Sequence, residues 1–128
     1  MIMINKYVIQ EQQGSLYNLA TIEEISGGSR EFMRDMMQLF IETMPKLADD
    51  MVNSLNSGNW AGVKSVAHQV KPTMELMGVT SLKDDVVVIE KNAQNLTDLD
   101  IIPALVEKFY AVIQKIVEAL KTEIKFYL

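Results

Sequence analysis

Beyond residue 29, apolar side chains return every three or four positions for most of the chain, the period of one buried face on an α-helix. The first long stripe reads Met33, Met36 or Met37, Phe40, Met44, Leu47, Met51 and Leu55, predicting a helix from about Arg30 to Leu55. Ser29 is placed to cap its start. Pro45 falls mid-stripe, where a missing backbone donor and a crowded carbonyl four residues earlier are expected to bend the helix. Asn56-Ser57-Gly58-Asn59 then reads as a stop followed by a start, with Gly58 in the C-terminal turn and Asn59 as the next N-cap.

A second seam, Trp60, Val63, Ala67, Val70, Met74 and Met77, predicts a helix over 60–77 closed by Gly78. Ser81 is expected to cap a further helix with Asp84 and Asp85 in its first turn and Leu82, Val86, Ile89, Ala93 and Leu96 on its buried face. After the polar stretch "NLTDLD", Ile102, Val106, Phe109, Ile113, Ile116, Leu120 and Ile124 mark a long helix from about Ile101 to the end. Ahead of these lies a short helix near 21–26, with Thr21 as its expected N-cap, Glu23 and Glu24 in its first turn, and Gly27-Gly28 ending it. The opening "MIMI" alternates weakly, and residues 1–15 are expected to form an extended or frayed N-terminal extension. No strand pattern competes over a comparable length. The expected fold is therefore all-α: one domain over 1–128, an antiparallel four-helix bundle with a short additional N-terminal helix.

Composition narrows the function. A chain of 128 residues with 48% apolar residues builds one genuine core. A net charge of −5 without a Lys/Arg cluster argues against nucleic acid as a partner. No apolar run is long enough to span a membrane. The N-terminus lacks the basic and apolar regions of a signal peptide, so the expected address is cytoplasmic. With no cysteine there are no disulfides and no thiolate metal sites.

One residue stands out against this plain background. His68 is the single histidine, in "SVAHQVKPTMELMG", residues 65–78. At about 100° per residue it lies roughly 135° from the apolar seam, so it faces outward. Lys64, Lys71 and Glu75 share that flank one or two turns away. The same spacing describes an ordinary solvated polar face. It also describes a site for phosphoryl chemistry. A neutral imidazole nitrogen is nucleophilic near neutral pH, the incoming group carries about two negative charges, and a lysine one turn away stabilises them. A metal site is poorly supported, because one His and no Cys leave only carboxylates, and the E-x-x-H pairs of carboxylate metal bundles are absent. Nothing resembles the strained nucleophile turn of a serine hydrolase.

Taken together, Ala67, His68, Val70, Lys71 and Gly78 resemble the motif of histidine-containing phosphotransfer (HPt) domains of bacterial phosphorelays, A-H-x-(L/I/V)-K-G followed six residues later by Gly. "GSREFMRDMMQLFIETMPKLADDMVNSL" is similar to the family's second helix, and "GVTSLKDDVVVIEKNA" to the segment after its active helix. The resemblance covers 16 to about 96, the last helix matching in length and pattern only. It implies that His68 accepts a phosphoryl group from a receiver-domain aspartate and passes it to another receiver, with Lys71 stabilising the phosphoryl charge. It also points to Glu90, which in several relatives is a Glu or Gln that accepts a hydrogen bond from Nδ1–H. A solvated boundary residue paired with Lys91 or another cation is the alternative for Glu90, and Lys64 adds positive potential or is simply solvated. Pro72 departs from the family, where a small residue follows the lysine. Its ring presses on the carbonyl of His68, either as a kink the bundle absorbs or as a device that tilts the imidazole outward.

On this reading the chain is a phosphoryl carrier and not an autonomous kinase, since no glycine-rich phosphate loop is present. It needs no cofactor of its own; Mg²⁺ is expected on the partner receiver. Partners are response-regulator receiver domains and, as a further candidate, a hybrid histidine kinase, and the expected state is a monomer. Two alternatives stay open: a helical docking module that has lost phosphotransfer, and the phospho-accepting domain of a larger histidine kinase, against which the start at Met1 argues mildly.

Overall fold

The computed structural model describes residues 16–128; the expectation for residues 1–15 falls outside the described residues. Among the described residues five α-helices follow one another: α1 (Ala20–Ser26), α2 (Arg30–Asn56), α3 (Trp60–Leu76), α4 (Lys83–Asn95) and α5 (Ile102–Glu123). One 3₁₀ turn, Leu99–Ile101, leads into α5 and another, Ile124–Tyr127, follows it. No strand occurs among the described residues. Short connections reverse the chain between α2, α3, α4 and α5, and each packs on its neighbour while α5 returns to α2. The architecture is the expected all-α bundle.

The seams meet inside it. Met33, Met37, Phe40, Met44 and Met51 of α2 are buried against Val63, Ala67, Val70 and Met74 of α3, Val86 and Ile89 of α4, and Ile102, Val106, Phe109, Ile113, Ile116 and Leu120 of α5. Burying side chains of this size contributes about 1.5–3 kcal/mol each, so the seams set the helix phases and thereby which residues face water. Val66, Ala48 and Val117 are buried too, whereas Met36, Leu47, Leu55, Trp60 and Ile124 sit at the core's edge. The helices approach closely at Gly62, where an added Cβ would lie 2.5 Å from Ser54 Oγ and 3.0 Å from Ser54 Cβ.

Two caps are as expected. Ser29 Oγ accepts from the Phe32 amide at 3.1 Å, and Asn59 Oδ1 from the Gly62 amide at 3.0 Å. Two are not. Thr21 lies inside α1, because Asn18 Oδ1 accepts from the Ala20 amide at 2.9 Å and starts the helix earlier. Ser81 does not cap α4: the Lys83 amide donates to the Thr80 carbonyl at 3.2 Å, a turn held by the buried Val79 and Leu82 on either side. Leu96 is a third correction. It is 62% exposed, because α4 ends at Asn95 and Leu96 takes a left-handed conformation (φ 54°) to direct its amide to the Asn92 carbonyl. A periodic stripe carries no information on where its helix stops.

Prolines 45 and 72 both lie within continuous helix. Two contacts hold the segment that closes the described chain against residues that precede it. Tyr17 is buried and its hydroxyl donates to Glu123 Oε1 at 3.2 Å. The Arg30 guanidinium sits 5.4 Å from the centre of the Tyr127 ring and donates to the Phe126 carbonyl.

Candidate functional site

The seam of α3 buries Ala67 and Val70 fully, which forces His68, between them in sequence, to the outside. Its side chain is 76% exposed. Val86 and Ile89 anchor α4 in the same way, and Glu90 follows Ile89 at the edge facing α3. There Glu90 Oε2 meets His68 Nδ1 at 2.7 Å. A carboxylate only accepts, so Nδ1 carries a proton, and in the neutral ring the lone pair is on Nε2. Among the described residues Nε2 has no protein partner.

The second oxygen of the same carboxylate, Oε1, accepts from Lys71 Nζ. Glu90 is thus shared by the ring and the ammonium, and at 16% exposure it is the most enclosed of the three. The Lys71 hydrogen bond is the main reason its carboxyl lies below the usual range; partial burial works against that, and the bond to His68 adds to it. Of the cations open to Glu90, Lys71 is the one it pairs with, and not Lys91.

The remaining residues fall nearby. Lys64 is half-buried one turn before His68 and forms no ion pair among the described residues. Pro72 is exposed, and α3 runs through it unbroken. It leaves the His68 carbonyl without its usual helical donor. Gly78 makes the turn out of α3 at φ 65°, packed on the backbone of Asn18. Next to Lys71 a recess of about 300 Å³ opens between α3 and α4, lined by Met74, Val79, Thr80, Lys83 and Val87. Among the described residues no group of three or more His, Cys, Asp or Glu side chains is placed to hold a metal ion.

The family model of the Hpt domain matches residues 35–123, from within α2 to the end of α5. The chain belongs to the Hpt domain family. Nothing among curated proteins or solved structures matches it. Hpt domains serve histidine phosphotransfer in phosphorelays and interact with receiver domains, which gives the exposed imidazole its chemical context. The match takes in the last helix, for which the sequence resembles the Hpt pattern only in length and periodicity. No helix among the described residues is long and apolar enough to cross a membrane.

Sequence reasoning reached His68, Lys71 and Glu90 singly but missed the bond between the last two. A signal was present in the helical projection: Lys71 lies only about 60° round the helix from His68, on the side nearer the seam. A carboxylate that reaches the ring from a neighbouring helix is therefore within reach of the ammonium as well. The apolar recess beside Lys71 had no counterpart in the sequence, because it is made from the far ends of two helices and their connecting turn.

Proposed function

We propose that His68 accepts a phosphoryl group from the aspartyl phosphate of a receiver domain and delivers it to the aspartate of another. In acceptance the Nε2 lone pair forms the N–P bond while the P–O bond to the aspartate breaks, its electron pair leaving on the carboxylate. Glu90 orients the ring, and Lys71 supplies charge to the phosphoryl oxygens as a mobile point charge. Lys64 adds positive potential on the same flank. The observation that carries this reading is the 2.7 Å contact of Glu90 with Nδ1, which leaves the exposed Nε2 as the nucleophile.

The protein contributes position rather than a complete catalytic apparatus. Magnesium belongs to the acidic cluster of the receiver, so this chain carries no cofactor. The donor receiver is free-standing or part of a hybrid histidine kinase. Docking uses the face around His68, where the exposed Ala61, two turns earlier on α3, permits close approach. The chain acts as a monomer in the cytoplasm, where such partners reside. Incubation with a phosphorylated receiver is expected to give an acid-labile, base-stable phosphoprotein, with the label absent from His68→Gln. Label surviving His68→Gln refutes the acceptor assignment, and an unlabelled wild type favours a docking module without phosphotransfer.

A further inference from the structure

The sharing of one carboxylate between a ring and a lysine has a consequence for the phosphorylated protein. At rest, Glu90 Oε2 holds Nδ1–H and Oε1 holds Lys71. The phosphoryl group brings about two negative charges to the same flank, a stronger attraction for Lys71 than half of one carboxylate. We propose that phosphorylation of His68 draws Lys71 from Glu90 to the phosphoryl oxygens, and that the carboxylate so released keeps the proton on Nδ1 of the phosphorylated ring, holding the N–P bond ready for transfer. This rests on His68 being the phosphoryl acceptor.

Proton bookkeeping gives the reason. Attack by Nε2 on phosphorus leaves a ring bonded to phosphorus at Nε2 and to hydrogen at Nδ1, formally an imidazolium. In the return step a carboxylate oxygen of the receiver attacks phosphorus, the P–N bond breaks, and its electron pair returns to Nε2. A neutral imidazole leaves if Nδ1 has kept its proton. An imidazolate, a far poorer leaving group, must leave if it has not. An anion at Nδ1 therefore favours the transferable form, and it does so best when no lysine shares it. Glu90 is then a positioning residue whose charge, beyond its hydrogen bond, matters to the second half of the reaction.

The electrical surroundings are simple enough for this one carboxylate to dominate. On α3 the neighbours of the ring are Lys64, Lys71 and Glu75, and α4 brings Glu90. Among the described residues no carboxylate of α2 or α5 pairs with His68 and no lysine of either pairs with Glu90; Lys108 of α5 is taken by Asp85 at 2.8 Å. Glu75 is exposed and forms no ion pair among the described residues.

The test uses phosphoramidate, a small phosphoryl donor that transfers to imidazole with release of ammonia, so no receiver is needed. Wild type and Glu90→Gln are labelled, the phosphohistidine is followed by ³¹P NMR, and its first-order hydrolysis is measured from pH 4 to 9. Gln keeps an oxygen for Nδ1–H and removes the charge. We expect equal rates in acid, where both rings are protonated, and a profile displaced toward acid by about one pH unit in Glu90→Gln, hence about tenfold slower loss on the alkaline side. Superimposed profiles overturn the proposal. Lys71→Gln, alone and combined with Glu90→Gln, tests the exchange. The two substitutions are expected to be coupled in the unfolding of the unphosphorylated protein and additive in the phosphohistidine profile. Coupling that persists in the phosphorylated form refutes the release of Lys71. Failure of phosphoramidate to label wild-type His68 overturns the acceptor assignment instead, so the two failures are distinct.

Discussion

Replacing Gly78 by alanine tests how the turn after the histidine helix is built. Its φ of 65° lies in the left-handed region, where a Cβ costs roughly 1–2 kcal/mol. The new Cβ also has no room. It would stand 2.7 Å from Asn18 Cβ and 2.8 Å from Asn18 N, and in still closer contact with the Asn18 carbonyl oxygen. Those are largely backbone atoms and cannot swing aside. The adjacent hydrogen bond from the Asn18 amide to the Met77 carbonyl, 3.0 Å, must open, at a net cost of about 1 kcal/mol. The total is about 2–3 kcal/mol of destabilisation. Gly58→Ala is the control: its φ is 69° but nothing lies within 4 Å of the added Cβ, so only the conformational cost of about 1–2 kcal/mol applies. Urea unfolding followed by the fluorescence of the single tryptophan, Trp60, measures both, with unchanged slopes as the check on a common unfolded state. Gly78→Ala losing no more stability than Gly58→Ala would refute the close-approach argument, leaving φ as the sole constraint.

Two further predictions concern the cluster around the ring. Lys71→Ala is expected to slow transfer from a phosphorylated receiver by about tenfold with the fold intact by circular dichroism, the loss of one charge contact worth about 1.4 kcal/mol in the transition state; an unchanged rate removes its assigned role. Glu90 also makes stability depend on pH. Its carboxyl is depressed in the folded protein below the ordinary 4.5, so its contribution is fully present above about that pH and is lost as pH falls through the lower folded value. Wild type should therefore exceed Glu90→Gln in unfolding free energy at pH 7 and lose that advantage progressively as the pH falls below 4.5; a gap that is constant or widens in acid contradicts the ion-pair account.

Much of this molecule was legible along the chain because its determinants are local. Ser29 and Asn59 sit where amides need an acceptor, Gly27, Gly58 and Gly78 where φ turns positive, and the outward place of His68 follows from the phase of Ala67 and Val70. Each depends on spacing within one helix or its ends. Thr21, Ser81 and Leu96 differ for a related reason: the local pattern tolerates several boundaries, and the Asn18 side chain, the burial of Val79 and Leu82, and the bond of the Leu96 amide to the Asn92 carbonyl each select one of them.

The sequence by itself determined the helices, their buried faces and the exposure of the one imidazole, since a 3.6-residue period dictates which side chains share a face. Only the tertiary structure decided that Tyr17 reaches Glu123 across the whole chain, and that one carboxylate of α4 serves both His68 and Lys71. Such pairings depend on how far apart two helices lie and how each is rotated about its axis. Those quantities are set by the joint packing of Ala67, Val70, Val86 and Ile89 and are carried by neither segment alone.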